Sequence, residues 1–263
     1  MSRVTDVIRA ANSAGRGVLV GYLPAGFPSV DDCIEALVAL AEGGADIIEL
    51  GIPYSDPVMD GLVIQRATNT ALESGFRVRD VFTIIAAVTA RVDVPILVMT
   101  YWNPVVQYGV ERFAQDLVAA GGVGLITPDL IPDEAAEWIR VSDAHGLDRV
   151  FLAAPSSTDD RLRSTVENSR GFVYAVSTMG ITGAREDLDA AARSLVARLR
   201  AVGAETVCVG VGISSAEHVR DVCAYADGAI VGTLLVTTLE KDGIDGVRAV
   251  ASQLSSGAFS ATP

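Results

Sequence analysis

Short apolar runs rich in β-branched residues alternate with amphipathic stretches of helical period along the whole chain. The runs at 18–23, 46–50, 95–100, 122–126, 149–153, 171–176, 206–210 and 228–231 read as eight strands. Between them, helical spacing marks 30–42, 78–92, 110–120, 133–144, 159–168, 188–202 and 216–224, and a further helix at 4–12 precedes the first strand. Ser29 ahead of Val30, and Ser214 and Ser215 ahead of Ala216, are suitable N-caps. Strands alternating with helices predict a parallel sheet with crossover helices. Eight such units within 263 residues predict a single α/β domain, residues 1–263, folded as a closed (β/α)8 or TIM barrel with an extra N-terminal helix across its bottom. A doubly wound dinucleotide fold would want a glycine fingerprint after its first strand, where this chain reads Tyr22-Leu23-Pro24-Ala25-Gly26. No interior stretch has linker composition, and the tail, 255–263, is expected to fray.

Composition narrows the classes of function. Half the residues are hydrophobic and 20% are charged, enough for a large core and too apolar for a disordered chain. A net charge of −13 excludes a nucleic-acid footprint and argues against a membrane surface. No apolar run approaches the ~20 residues of a membrane span, and the N-terminus lacks the apolar core of a signal peptide, so a cytoplasmic location is expected. The three cysteines, Cys33, Cys208 and Cys223, have no metal-like spacing and read as small core residues.

In a barrel, chemistry belongs at the C-terminal ends of the strands. The second strand ends in Asp46-Ile47-Ile48-Glu49-Leu50-Gly51, where period-two alternation puts Ile47 and Glu49 on one face. Both faces of a parallel sheet are covered, so Glu49 is expected to be buried, with the raised pKa of an acid–base catalyst. A structural carboxylate bonded to backbone amides is the other reading. The following loop, Gly51-Ile52-Pro53-Tyr54-Ser55-Asp56-Pro57-Val58-Met59-Asp60-Gly61, brings Asp56 and Asp60 to the same end, although either could be only a turn former. Glycine turns follow strands seven and eight, at Gly210-Val211-Gly212-Ile213-Ser214 and at Val231-Gly232-Thr233. Loops in those two units, joined to a helix N-terminus, form the common phosphate site of this fold, and Thr233 adds a hydroxyl. The stretch 177–185 after strand six, punctuated by Gly180 and Gly183, reads as a lid or as an ordinary loop.

Scarcity sharpens the reaction. Lys241 is the single lysine and lies in a polar stretch after the last strand, so an imine-forming amine is lacking. The two histidines, His145 and His218, fall on helices of the outer ring, which leaves a metal aldolase without ligands and a serine triad without its base. What remains is acid–base catalysis by carboxylates on a substrate that supplies its own electron sink, with no metal and no cofactor in this chain.

The run Glu49-Leu50-Gly51-Ile52-Pro53-Tyr54-Ser55-Asp56-Pro57 with Asp60-Gly61 resembles the signature of the tryptophan synthase alpha subunit, as do Gly180-Ile181-Thr182-Gly183, Gly210-Val211-Gly212-Ile213-Ser214 and Val231-Gly232-Thr233. The match runs in register over essentially the whole chain. The resemblance implies cleavage of indole-3-glycerol phosphate to indole and glyceraldehyde 3-phosphate. It implies that Glu49 shuttles protons between the glycerol hydroxyl and indole C3, while Asp60 holds the indole N–H. Tyr22 and Met99 would line the indole pocket, Tyr174 would support the site, and Thr182, Gly183, Gly212, Gly232 and Thr233 would hold the substrate and its phosphate. It implies a partner too: a pyridoxal-phosphate beta subunit in an αββα complex, met by Pro53, Asp56, Pro57 and Asn103, with the pyridoxal phosphate in that partner. Two departures from the family pattern stand out: Leu62-Val63 where Pro-Thr follows the Asp-Gly pair, and Thr178-Met179 where an Arg opens the lid motif. They bear on closure and on signalling to the partner rather than on the chemistry. Two other readings compete. A barrel synthase using the same phosphate site would want a lysine at a strand end. A weakly catalytic regulatory subunit would mainly activate its partner.

Overall fold

The computed structural model describes residues 2–176, 185–210 and 212–259, the side chains of 185–188 excepted. Eight parallel strands close into a barrel in sequence order: β1 (Val18–Pro24), β2 (Ile47–Gly51), β3 (Ile96–Met99), β4 (Gly124–Thr127), β5 (Asp148–Ala153), β6 (Val173–Val176), β7 (Val207–Gly210) and β8 (Gly228–Val231). Closure comes from β8 pairing with β1, Val18 opposite Gly228 and Val20 opposite Ile230. The helices are α1 (Arg3–Ser13), α2 (Val30–Glu42), α3 (Leu62–Glu73), α4 (Asp80–Thr89), α5 (Trp102–Tyr108), α6 (Val110–Ala120), α7 (Ala136–His145), α8 (Asp159–Asn168), α9 (Arg185–Ala201), α10 (Ala216–Cys223) and α11 (Thr233–Gly257).

Alternation along the strands builds two cores. One phase, including Leu19, Ile48, Leu50, Val98, Phe151 and Val209, packs outward against the helices. The other phase fills the lumen with Val18, Val20, Ile47, Leu97, Ile126, Val150, Phe172, Cys208 and Ile230. The side chains Val4, Ile8 and Ala11 of α1, spaced to lie on one helical face, belong to the lumen cluster and seal the bottom of the barrel. The residue at its N-cap ties that plug to the barrel. Ser2 caps α1 by accepting from the Thr5 N–H at 3.0 Å, and its hydroxyl donates to Asp148 on β5 at 2.8 Å. At the same end Arg16 grips Asp46 with two bonds of 2.8 and 2.9 Å, while Asp46 also accepts from the Leu19 N–H.

The structure revises several expected elements. The helix expected over 133–144 is split into a 3-10 turn, Pro132–Glu134, and α7. Within the tail expected to fray, α11 runs to Gly257, Ala258 is buried and Phe259 bridges to Arg16, while 260–263 lie outside the described residues. Cys33 and Cys208 are buried as expected, whereas Cys223 is only half-buried.

Candidate active site

Glu49 and Asp60 come together at the C-terminal end of the barrel, in a pocket of about 580 Å³ that also receives Tyr22, Met99, Tyr174, Gly212, Gly232 and Thr233. Its position above the plugged lumen follows from strand phase. Glu49 continues the inward series begun by Ile47 and pairs in register with Tyr22 on one side and Leu97 on the other. It is 1% exposed, and its Oε2 finds no hydrogen-bond partner among the described residues. A structural carboxylate would have its oxygens bonded to neighbouring amides. Burial, with the Asp60 charge nearby, pushes the Glu49 carboxyl up to about 8, so at neutral pH it carries its proton.

Asp60 lies at the end of the loop after β2, half-buried, and burial raises its carboxyl as well. A hydrogen bond from the Tyr101 hydroxyl, 3.3 Å from Oδ1, pulls the other way and favours the ionised form. The two carboxylates are thus set apart, one stabilised neutral and one given a donor for its charge. Tyr22 and Tyr174 complete the polar wall, their hydroxyls pushed well above the ordinary tyrosine range by burial and by the nearby carboxylates. Both need glycine neighbours. A Cβ on Gly51 would meet the Tyr22 hydroxyl at 2.4 Å, and one on Gly210 would meet the Tyr174 hydroxyl at 2.6 Å. Gly210, read from sequence as part of an anion-binding turn, therefore also makes room for Tyr174.

The other end of the pocket is bordered by the start of α11 and by the turn that leads into α10. Gly232 stands at the N-cap of α11, with no side-chain cap there among the described residues, and Gly232, Thr233 and Leu234 of this helix start line the pocket. Gly212 has φ +66°, within the left-handed region, and Thr233 is exposed beside it in the pocket lining. The Ser214 N–H is already engaged, donating to His218 Nδ1 at 3.2 Å. Thr182 and Gly183, the remaining expected substrate contacts, lie outside the described residues, as do Thr178, Met179 and most of the expected lid at 177–185.

The apolar wall includes Met59, Ile64, Leu152, Val176 and Leu234, none of which sequence reasoning singled out. Leu152 follows Val150 in the inward phase of β5, so alternation could have found it. Met59 and Ile64 reach the pocket through the course of a loop and the start of α3, which no periodicity announces. The expected partner residues divide. Asp56 and Asn103 are exposed and Pro57 is partly so, but Pro53 is buried within the chain. The same face carries exposed apolar side chains: Val58 (79% exposed) and Leu62 (70%) around the loop, the latter already set apart as a departure from the family pattern, and Val106 on α5. The Asn103 amide donates to the Tyr54 hydroxyl at 3.2 Å and ties α5 to that loop. Among the described residues, no group of three or more His, Cys, Asp or Glu side chains could hold a metal ion, and no helix is long and apolar enough to cross a membrane.

Comparison with known proteins gives a consistent result. The family profile described as tryptophan synthase alpha chain matches residues 8–259. The tryptophan synthase alpha chain of Leifsonia xyli subsp. xyli is 63% identical over 258 residues, 98% of this chain and 99% of that one. That of Mycobacterium avium is 53% identical over 97% of this chain and 94% of its own length. Among solved structures, tryptophan synthase from Mycobacterium tuberculosis superposes with a TM-score of 0.93 at 52% identity, covering 98% of both chains. The tryptophan synthase complex from Pyrococcus furiosus gives 0.82 at 34% identity, covering 91% of this chain and 98% of that one.

Proposed function

Because the chain belongs to the tryptophan synthase alpha-chain family, we propose that Glu49 and Asp60 are the carboxylates that perform its reaction. That reaction is the cleavage of indole-3-glycerol phosphate to indole and glyceraldehyde 3-phosphate, a carbon–carbon lyase step in tryptophan biosynthesis. The alternative of a weakly catalytic regulatory subunit is not favoured. The observation that carries the assignment is the buried Glu49, its Oε2 without a hydrogen-bond partner among the described residues, in the lining of a pocket that also holds Asp60.

The protonation states set the order of events. Glu49 gives its proton to indole C3, and the ring nitrogen takes up the resulting positive charge, which Asp60 stabilises through the N–H. The Glu49 carboxylate then removes the proton of the glycerol hydroxyl next to the ring. As that oxygen becomes a carbonyl, the carbon–carbon bond breaks and its electrons return to the indole. Glu49 ends protonated, so no water is consumed and no outside acid is needed. Tyr22 and Met99 bound the ring, Tyr174 backs Glu49, and the amides after Gly212 and Gly232, with the Thr233 hydroxyl, receive the phosphate at the start of α11.

The family implies the tryptophan synthase beta subunit as partner. In the proposed αββα assembly, which carries pyridoxal phosphate in the beta subunit and works in the cytoplasm, this chain contributes the face around Asp56, Pro57 and Asn103. Val58, Leu62 and Val106 supply the apolar area that such an interface needs. Steady-state indole release from indole-3-glycerol phosphate tests the chemistry: Glu49→Gln should lower kcat by about 10³-fold or more. Equal rates for Glu49→Gln and wild type would overturn the assignment.

A further inference from the structure

We propose that Tyr101 is the positioning residue for Asp60, a single hydroxyl that binds the loop backbone and the carboxylate together and so fixes where Asp60 stands before substrate arrives. The inference rests on the reading of Asp60 as a reacting-site carboxylate. The Tyr101 oxygen accepts from the Val58 N–H at 3.0 Å and from the Met59 N–H at 2.9 Å, and it donates to Asp60 Oδ1 at 3.3 Å. A phenol has one donor and two lone pairs, so these three bonds use its whole capacity. With both lone pairs filled by backbone amides, the O–H has Asp60 as its acceptor. The hydroxyl is aimed by the loop it holds.

The base of this device is rigid. Tyr101 stands two residues past the end of β3, where its extended backbone (φ −64°, ψ 155°) forms the N-cap of α5, and it is 4% exposed. Its ring packs on Tyr54 with centroids 5.3 Å apart. The loop that carries Asp60, by contrast, is irregular from Ile52 to Gly61, and Val58 beside it is 79% exposed. One end of the contact is thus anchored in the barrel and the other would wander without it. Donation to the carboxylate also favours its ionised form against the opposing effect of burial, which is the form able to accept an indole N–H.

Tyr101→Phe keeps the ring and its packing on Tyr54 while removing the hydroxyl. In the full-length chain, kcat for indole-3-glycerol phosphate cleavage is expected to fall about tenfold or more with a smaller change in KM, because a misplaced carboxylate is missed most in the transition state. The acidic limb of the kcat–pH profile is expected to move to higher pH, since Asp60 loses the donor that holds its carboxyl down. In an Asp60→Asn background the same substitution is expected to cost less than about twofold, the two residues acting as one unit. Tyr54→Phe, which deletes the other hydroxyl of the stack, is the control for general loosening of the loop. A Tyr101→Phe variant with wild-type kcat and pH profile would overturn the inference, as would losses that add in the double variant or a Tyr54→Phe loss as large. An Asp60→Asn variant with wild-type activity would instead remove the reading of Asp60 on which the inference stands.

Discussion

Glu49 shows what a barrel does to one side chain. In an exposed setting a glutamate titrates near ~4.3. At the inward phase of β2 it is held at about 8, mainly by burial. The sign of the linkage follows. Above the ordinary value the unfolded chain releases this proton while the folded chain keeps it, so the stability tied to the neutral carboxyl drains away as pH rises from about 4.5 through about 8. Glu49→Gln has nothing to lose there. Its stability should match wild type near pH 4.5 and exceed it by roughly a few kcal/mol at pH 9, read by chemical denaturation across that range. A gap that stays flat with pH would show Glu49 titrating normally. The residue was legible in the sequence because Ile47 and Glu49 share a phase and only burial was needed to make the carboxylate notable. Tyr101 was not legible, since its contact with Asp60 joins residues 41 positions apart whose meeting depends on how a loop folds back over the next strand.

At the scale of elements, the strands and most helices were read from spacing, and α3, α5 and α11 were missed for identifiable reasons. Helix α3 has Gly61 at its N-cap, with no side-chain cap and no acidic residue in its first turn, so nothing in the sequence announces its start. Helix α5 is seven residues long and contains Pro104, and α11 is interrupted by non-helical backbone at Gly243. The start of α3 also clarifies the unusual Leu62. It is the first helical residue, it is 70% exposed, and the preceding Gly61 is extended (φ −70°, ψ 161°). Proline suits such a position, because its fixed φ matches the helix and the missing N–H has no partner in the first turn. Leu62→Pro should therefore stabilise the chain by about 0.4–1 kcal/mol in urea unfolding, by restricting the unfolded state. A destabilised variant would mean that the helix start differs from the one described.

For the whole molecule, strand count and loop position located the working face from sequence, while the partner surface was only half legible. Charged and proline positions on the loop after β2 stood out through the resemblance, but the exposure of Val58, Leu62 and Val106 depends on which side of each element faces outward. Val106 lies on α5 away from the pocket lining, so Val106→Glu should weaken association with a beta subunit about tenfold or more by sedimentation while leaving indole release by the chain alone unchanged. Unaltered association would place the interface elsewhere. The plug formed by Val4, Ile8 and Ala11 beneath the lumen has a consequence for traffic. With the lumen filled by the described side chains, traffic reaches the pocket through a doorway at the C-terminal end of the barrel. The apolar rim that would receive the partner borders that doorway. A partner seated there would stand where the smaller, oily fragment emerges.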